Sequence, residues 1–224
     1  NMITTAQKNK IIQIINVFET GTREGKYDLI ATYPDGVSGS RQITYGRSQT
    51  TEQGNLKALI EKYITNKGIF GGEFKMYLPK IGKTPLVDDA VFKSLLKKAA
   101  KQDPIMRKSQ DDFFEVLYYQ PAFHFFEKNK FTQALSMLVI YDSYIHSGSV
   151  PAFIREKFAE NVPLNGGDEK KWIKKYTEAR HSWLTNHSKQ LLRKTNYRTK
   201  CFLEQIVNNN WDLAKSVNAN GIAV

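Results

Sequence analysis

Cysteine is almost missing from this chain of 224 residues: Cys201 stands alone. A single thiol excludes a disulfide framework and any cysteine-based metal site. Histidine is scarce as well. His124, His146, His181 and His187 show no HExxH or comparable spacing, so a metalloenzyme is not expected. Long apolar runs are missing too. A bilayer span needs roughly 18 apolar residues, and the longest patch, Leu135 to Ile140, falls far short. The first residues, Asn1 to Lys10, contain no secretory apolar segment. No P-loop pattern, internal repeat or low-complexity stretch is present. What remains is ordinary globular material, 41% hydrophobic and 25% charged. It is long enough for one compact domain or two small lobes around a shared cleft.

Acidic residues are outnumbered. Lys plus Arg count 33 against 22 Asp plus Glu, a net charge of +11. The excess is strongest late in the chain, where positions 166–200 hold ten Lys/Arg against three acids. Such a field suits polyanions: nucleic acid, an acidic membrane surface or a bacterial cell wall. It is equally what a solvated basic face looks like.

Periodicity predicts a helix over Ala6 to Phe18, with Ile11, Ile12, Ile15 and Phe18 on one face and Gly21 as its stop. Tyr27 to Tyr33 and Gln42 to Tyr45 read as two strands of a hairpin, turned at Pro34-Asp35-Gly36. A second helix follows Gly54-Asn55, with Leu56, Leu59, Ile60 and Tyr63 aligned. Beyond a linker over Pro79 to Pro85 the pattern is helical: Val91 to Lys101, Phe113 to Tyr119, Phe131 to His146, Asp168 to Leu184, and one or two helices within Leu191 to Trp211. Phe131 to His146 is the most apolar and reads as central. Trp172, Tyr176, Ala179 and Trp183 form an aromatic stripe that reads as core. The fold class expected is α+β, mainly α-helical, as a single domain over 1–224 with a minor lobe at roughly 25–80.

Two carboxylates stand out. Glu19 follows Phe18 at the end of an apolar helix. Partial desolvation and the negative end of the helix dipole both favour the protonated form there, which is what a general acid needs. Taken alone, Glu19 is also simply a solvated residue in a last turn. Asp35 sits in the hairpin turn, sixteen positions on. A helix end facing a turn across a cleft holds two carboxyls apart, as glycosidases require; Asp-Gly is also an ordinary turn pair. The polar stretch Thr44-Tyr45-Gly46-Arg47-Ser48-Gln49-Thr50-Thr51 is suited to line a sugar site or to be a plain loop. Asp142 lies in line with Phe131, Leu135, Leu138 and Ile145, where a carboxylate must be paired. Arg180 is its expected partner and Arg193 a third member of a structural charge network.

Taken together these segments resemble the family 46 chitosanases of the lysozyme-like superfamily. Val17-Phe18-Glu19-Thr20-Gly21-Thr22 resembles the family's F-E-N-G-T helix end, and Asp35-Gly36 its D-G turn. Tyr77-Leu78-Pro79, Leu117-Tyr118-Tyr119-Gln120-Pro121-Ala122 and Tyr141-Asp142 match further segments in order. Gly167-Asp168-Glu169-Lys170-Lys171-Trp172 with Ala179-Arg180 resembles a G-x-D-E stretch and the arginine after it. The resemblance implies a two-lobed, mainly helical fold, inverting hydrolysis and no cofactor. It implies Glu19 as general acid, Asp35 as the base that activates water, and Asp142 with Arg180 in a buried network.

The sequence departs from that pattern in two places. The family turn D-G-R-G-Y-T is rearranged here, leaving Thr44 as the nearest threonine to orient water. The G-D pair whose Asp binds a glucosamine ammonium is Gly54-Asn55, and an amide cannot neutralise an ammonium. With a net charge of +11, these departures favour peptidoglycan over cationic chitosan. The expected activity is therefore a cell-wall muramidase on a chitosanase-like scaffold, with endo-chitosanase as the alternative. A non-catalytic wall-binding module and a nucleic-acid binder are the readings from other classes. Expected substrate contacts are Thr44, Tyr45, Arg47, Gln49, Thr50 and Asn55. The expected partner is the polysaccharide, bound by a monomer without metal, nucleic acid or membrane insertion. An immunity or inhibitor protein, or other domains of a larger chain, are further partners of a domain delivered outside the producing cell.

Overall fold

The computed structural model describes residues 2–224. It is mainly helical, with a three-stranded antiparallel sheet near the N-terminus and a two-stranded one near the C-terminus. The chain forms two compact units.

Helix α1 (Thr5–Thr20) opens with a reciprocal cap. Gln7 N donates to Thr4 Oγ1 at 3.1 Å while Thr4 N donates to Gln7 Oε1 at 3.0 Å. Two orphan donors of the first turn are thereby satisfied. Ile11, Ile14 and Ile15 are fully buried, Phe18 nearly so, which is the i, i+3, i+4, i+7 face of an amphipathic helix. Gly21, at φ +77°, ends it in the left-handed conformation that glycine adopts at least cost.

The unit over Glu19–Glu115 contains the larger sheet. Strands β1 (Ile30–Tyr33), β2 (Gln42–Tyr45) and β3 (Thr50–Thr51) run in that spatial order, with Tyr33 opposite Gln42 and Tyr45 opposite Thr50. The β1–β2 connection is eight residues long, wider than a tight hairpin, and holds a 3-10 turn at Val37–Gly39. Helices α2 (Leu56–Thr65), α3 (Gly71–Lys75), α4 (Ala90–Gln102) and α5 (Pro104–Phe114) complete this unit. Leu59, Tyr63, Phe74, Phe92, Leu96 and Met106 share one core with Ile43 and Tyr45 of β2. The unit therefore extends to Glu115, where the sequence placed a boundary near 80: α4 and α5 bury their apolar faces against α2 and the sheet.

A π-helical segment, Glu115–Tyr119, joins α5 to α6 (Gln120–Lys128). The other unit contains positions 1–18 and 116–224. Its centre is α7 (Ala134–Ser147), buried at every position from Ala134 to Ser143. Short α8 (Ala152–Arg155), long α9 (Glu169–Thr185), short α10 (Gln190–Arg193) and α11 (Tyr197–Val207) follow. Strands β4 (Asn218–Ala219) and β5 (Ile222–Ala223) close the chain. Asp168 caps α9, accepting from Lys171 N at 2.8 Å. Gly167 precedes that cap because a Cβ there would lie 1.6 Å from the Asn161 carbonyl oxygen.

Asp103 is the main polar anchor of the first unit. It is 1% exposed. It accepts from Tyr63 Oη at 2.5 Å, Ile69 N at 2.8 Å and Ile105 N at 2.9 Å, the last as N-cap of α5. Burial opposes its charge, but the hydrogen bonds from Tyr63, Ile69 and Ile105 outweigh it and hold the carboxyl below its ordinary value. Asp103→Ala removes a cap and strands two donors, so urea denaturation is expected to show a loss of about 2–4 kcal/mol. A loss under about 0.5 kcal/mol, the size of an ordinary surface change, would contradict this role.

Candidate functional site

Glu19 occupies the last turn of α1 and is half-buried. The carbonyls of a last turn have no intrahelical partner. Here Gln49 Nε2 donates to the Glu19 carbonyl oxygen, and Tyr197 Oη donates to the Phe18 carbonyl at 2.9 Å. Thr20 Oγ1 accepts from Lys26 N at 3.0 Å, which folds the departing chain back. The residue bearing the carboxyl is thus fixed at its backbone rather than left to fray.

Asp35 is exposed in the turn after β1. Its Oδ1 accepts from Gln42 Nε2 at 2.9 Å, and Gln42 itself is buried at the first position of β2. Gln42 Oε1 accepts in turn from Gln53 N at 2.9 Å, and Gln53 Oε1 from Val37 N at 2.7 Å. Gln42 and Gln53, which no local pattern singles out, therefore orient the turn carboxylate. Glu19 is tied to the segment after the far end of β2, through Gln49, and Asp35 to its near end, through Gln42.

The polar stretch from Thr44 to Thr51 is strand, turn and strand, not an open loop. This corrects several expected sugar contacts. Tyr45 is fully buried and donates its hydroxyl to the Leu96 carbonyl at 2.8 Å. Thr50 is buried, with Oγ1 donating to the Tyr45 carbonyl at 3.1 Å. Arg47 is 6% exposed; Nη1 pairs with Asp111 at 2.8 Å and the guanidinium lies 5.0 Å from the Phe114 ring centroid. These three side chains serve the interior. Thr44 is buried too, yet its hydroxyl has no hydrogen-bond partner. Gln49 is half-buried and Asn55 exposed; Asn55 precedes α2 without a side-chain capping bond.

Around Arg47 the sequence left three partners unrecognised. Arg47 N donates to Gln110 Oε1 at 3.0 Å, Gln110 Nε2 donates to the Tyr27 carbonyl at 2.9 Å, and Tyr27 Oη donates to Asp111 at 2.9 Å. Burial first, then the Asp111 charge, pushes the Tyr27 phenol up to about 12. Gly46 leaves room for this packing, since a Cβ there would meet Gln110 Oε1 at 2.4 Å.

The other unit holds a buried charge cluster. Asp142, fully buried on α7, accepts from Arg180 Nη1 at 2.6 Å. Its second partner is Arg198, whose Nε and Nη2 reach Oδ1 at 2.8 and 2.7 Å. The expected third member, Arg193, lies elsewhere: its Nη1 donates to the carbonyls of His187 and Ser188. Arg180 Nη2 also donates to His146 Nδ1 at 3.0 Å; a guanidinium has no acceptor, so Nδ1 is unprotonated. Burial, then Arg198 and Arg180, lower the imidazole to about 3. Burial alone would raise Asp142, but Arg198 and Arg180 overcome it and hold it at about 2.

The family model described as Glycosyl hydrolase family 46 matches residues 13–217. The chitosanase of Bacillus subtilis (strain 168) is 32% identical over 194 residues, covering 80% of this chain and 68% of the relative. The native chitosanase of Bacillus subtilis MY002 superposes with a TM-score of 0.84 at 27% identity, covering 100% of both chains. A Gynuella sunshinyii GH46 chitosanase in complex with chitotetraose gives a TM-score of 0.85 at 23% identity, covering 100% of this chain and 98% of that one.

The charge cluster sets an acid limit. Below pH 6.5 the unfolded chain protonates His146, whereas the folded chain resists until about 3, so stability falls as pH drops through that window. Asp142, with its folded value depressed, adds stability that is present above 3.8 and lost toward about 2. In His146→Asn, thermal melting is expected to change less between pH 6.5 and 4 than in the parent; an identical slope would contradict the assignment. Asp142→Ala leaves two guanidinium groups buried without their carboxylate and is expected to cost roughly 3–5 kcal/mol.

Proposed function

We propose, on the premise that the chain belongs to glycosyl hydrolase family 46, that this glycosidase is an endo-chitosanase with Glu19 as general acid and Asp35 as general base. The observation that carries the substrate is the identity to a chitosanase across most of the chain. The sequence favoured peptidoglycan because of the net charge, and the comparisons lend that reading no support. The net charge divides unevenly along the chain. Positions 19–115, which hold both candidate carboxylates, contain 16 Lys/Arg against 13 Asp/Glu. Positions 1–18 with 116–224 contain 17 against 9. Most of the basic excess thus belongs to the unit without the proposed catalytic pair, so the net charge of the chain is no measure of the charge around that pair.

The chemistry follows from the anchors. Inverting hydrolysis needs roughly 6.5–9.5 Å between the two carboxyls, so that a water stands against the sugar ring. Glu19 delivers its proton to the glycosidic oxygen as the bond to the anomeric carbon breaks. Asp35, aligned by Gln42, takes a proton from the water attacking the opposite face. The unpartnered Thr44 hydroxyl is our candidate to orient that water. Gln49 fixes the backbone of the acid, and a polymeric substrate places the reaction outside the producing cell.

Glu19→Gln and Asp35→Asn are each expected to lower chitosan turnover by about 10²–10⁴-fold with binding preserved. Near-full turnover in either would remove that residue from its role. Reducing-end release from chitosan, run beside turbidity loss of purified peptidoglycan, tests the substrate; activity on the second and none on the first would overturn chitosanase. Asn55 offers an amide where an acid would attract an ammonium. Asn55→Asp is therefore expected to shift kcat/KM toward fully deacetylated chitosan by about 2–5-fold, and no shift would place Asn55 outside the substrate track.

A further inference from the structure

The aromatic stripe of α9 divides in two. Trp172 and Tyr176 are fully buried and stacked, with centroids 5.1 Å apart. Farther along the same face, Ala179 and Trp183 are only half-buried and line a groove of about 760 Å³. The indole of Trp183 is held by edge contacts, Phe153 at 5.2 Å and His187 at 5.3 Å between centroids. Phe158 adds a second apolar wall, and Ser182, Asn186 and Ser188 supply hydroxyl and amide groups to the lining. Roughly 300–1,000 Å³ is the usual range for small-ligand sites. An amphipathic ring beside small polar side chains suits a ligand with one apolar face and many hydroxyls, which is what a pyranose presents.

Charge selects among glycans. Lys157 and Lys175 line the groove, both are exposed, and neither has a carboxylate partner among the described residues. Exposed Lys170, Lys171 and Lys174 continue the basic surface along α9. A polymer of protonated amino sugars would be repelled here. We propose that this groove is a second carbohydrate site, specific for a polyanionic glycan bearing carboxylate or phosphate groups. All its lining residues belong to the unit that lacks Glu19 and Asp35. The site thus recruits the enzyme to an anionic matrix without occupying the catalytic residues. Nucleic acid fits less well. Single-strand binders offer successive rings for successive bases, whereas here a single indole stands among hydroxyl and amide side chains.

Affinity electrophoresis of the full chain in gels containing polygalacturonate, and separately a phosphomannan, at about 150 mM salt tests this. Binding to at least one is expected to weaken about tenfold in Lys157→Gln/Lys175→Gln and in Trp183→Ala, and less than about twofold in Lys170→Gln/Lys171→Gln. Melting curves confirm that the Trp183 variant is folded, and the exposed lysine pair carries the test if it is not. Equal weakening in both lysine pairs would mean diffuse charge and overturn the site. So would parent-like binding by a folded Trp183→Ala, equal retention by a neutral N-acetylglucosamine hexamer, or a single-stranded oligonucleotide bound as tightly with the same dependence.

Discussion

A helix that stops inside a protein must find partners for its last carbonyls, and in this chain the helix in question carries the proposed acid. Two donors meet that need, Tyr197 at the Phe18 carbonyl and Gln49 at the Glu19 carbonyl, while Lys26 N folds the departing chain back onto the Thr20 hydroxyl. Gly21 supplies the left-handed exit. A side chain on a frayed turn samples many positions, and a proton donor misplaced by about 1 Å can cost about 10²-fold in rate. The same logic applies to Asp35. Its turn is exposed, but a buried glutamine at the start of β2 grips its carboxylate. The anchors of both acids thus flank or begin one short strand, whose own position is set by Ile43 and Tyr45 in the core.

The two units use charge differently. In one, carboxylates and amides at the sheet and helix ends are spent on backbone groups: Glu52 accepts from Ile43 N and Leu86 N, and Asp103 from Ile69 N and Ile105 N. In the other, a carboxylate is enclosed by two guanidinium groups and an imidazole kept neutral by burial. That cluster joins α7, α9 and α11 through side chains that cannot be removed singly without leaving a buried charge. It is a fastening of the fold and takes no part in the proposed proton transfers.

Much of this was legible from sequence because the signals were local. The spacing of Ile11, Ile15 and Phe18, ended by Gly21, gave α1 and the place of Glu19; Asp168 and the residues after it gave α9. Local signals failed where polarity and exposure part company. Thr44, Tyr45, Arg47 and Thr50 are polar enough to suit a sugar-lining surface, yet all four are buried, and a buried aspartate-bound arginine is as polar in sequence as a free one. Arg193 is the arginine expected in the cluster, and Arg198 stands there instead. Only the fold shows that α10 ends early and that α11 turns Arg198 inward. Net charge is the least local of these signals, since a sum over the chain hides its division between units.

The proposed hydrolysis requires two carboxylates acting on opposite faces of a sugar ring. Proton NMR of the first products released from chitosan reads the configuration at the new reducing end before mutarotation obscures it. An acid at Glu19 and a water-activating base at Asp35 predict the α-anomer, inverted from the β-linked substrate. Initial release of the β-anomer would mean a covalent intermediate and a different pairing of groups, and would contradict the central claim.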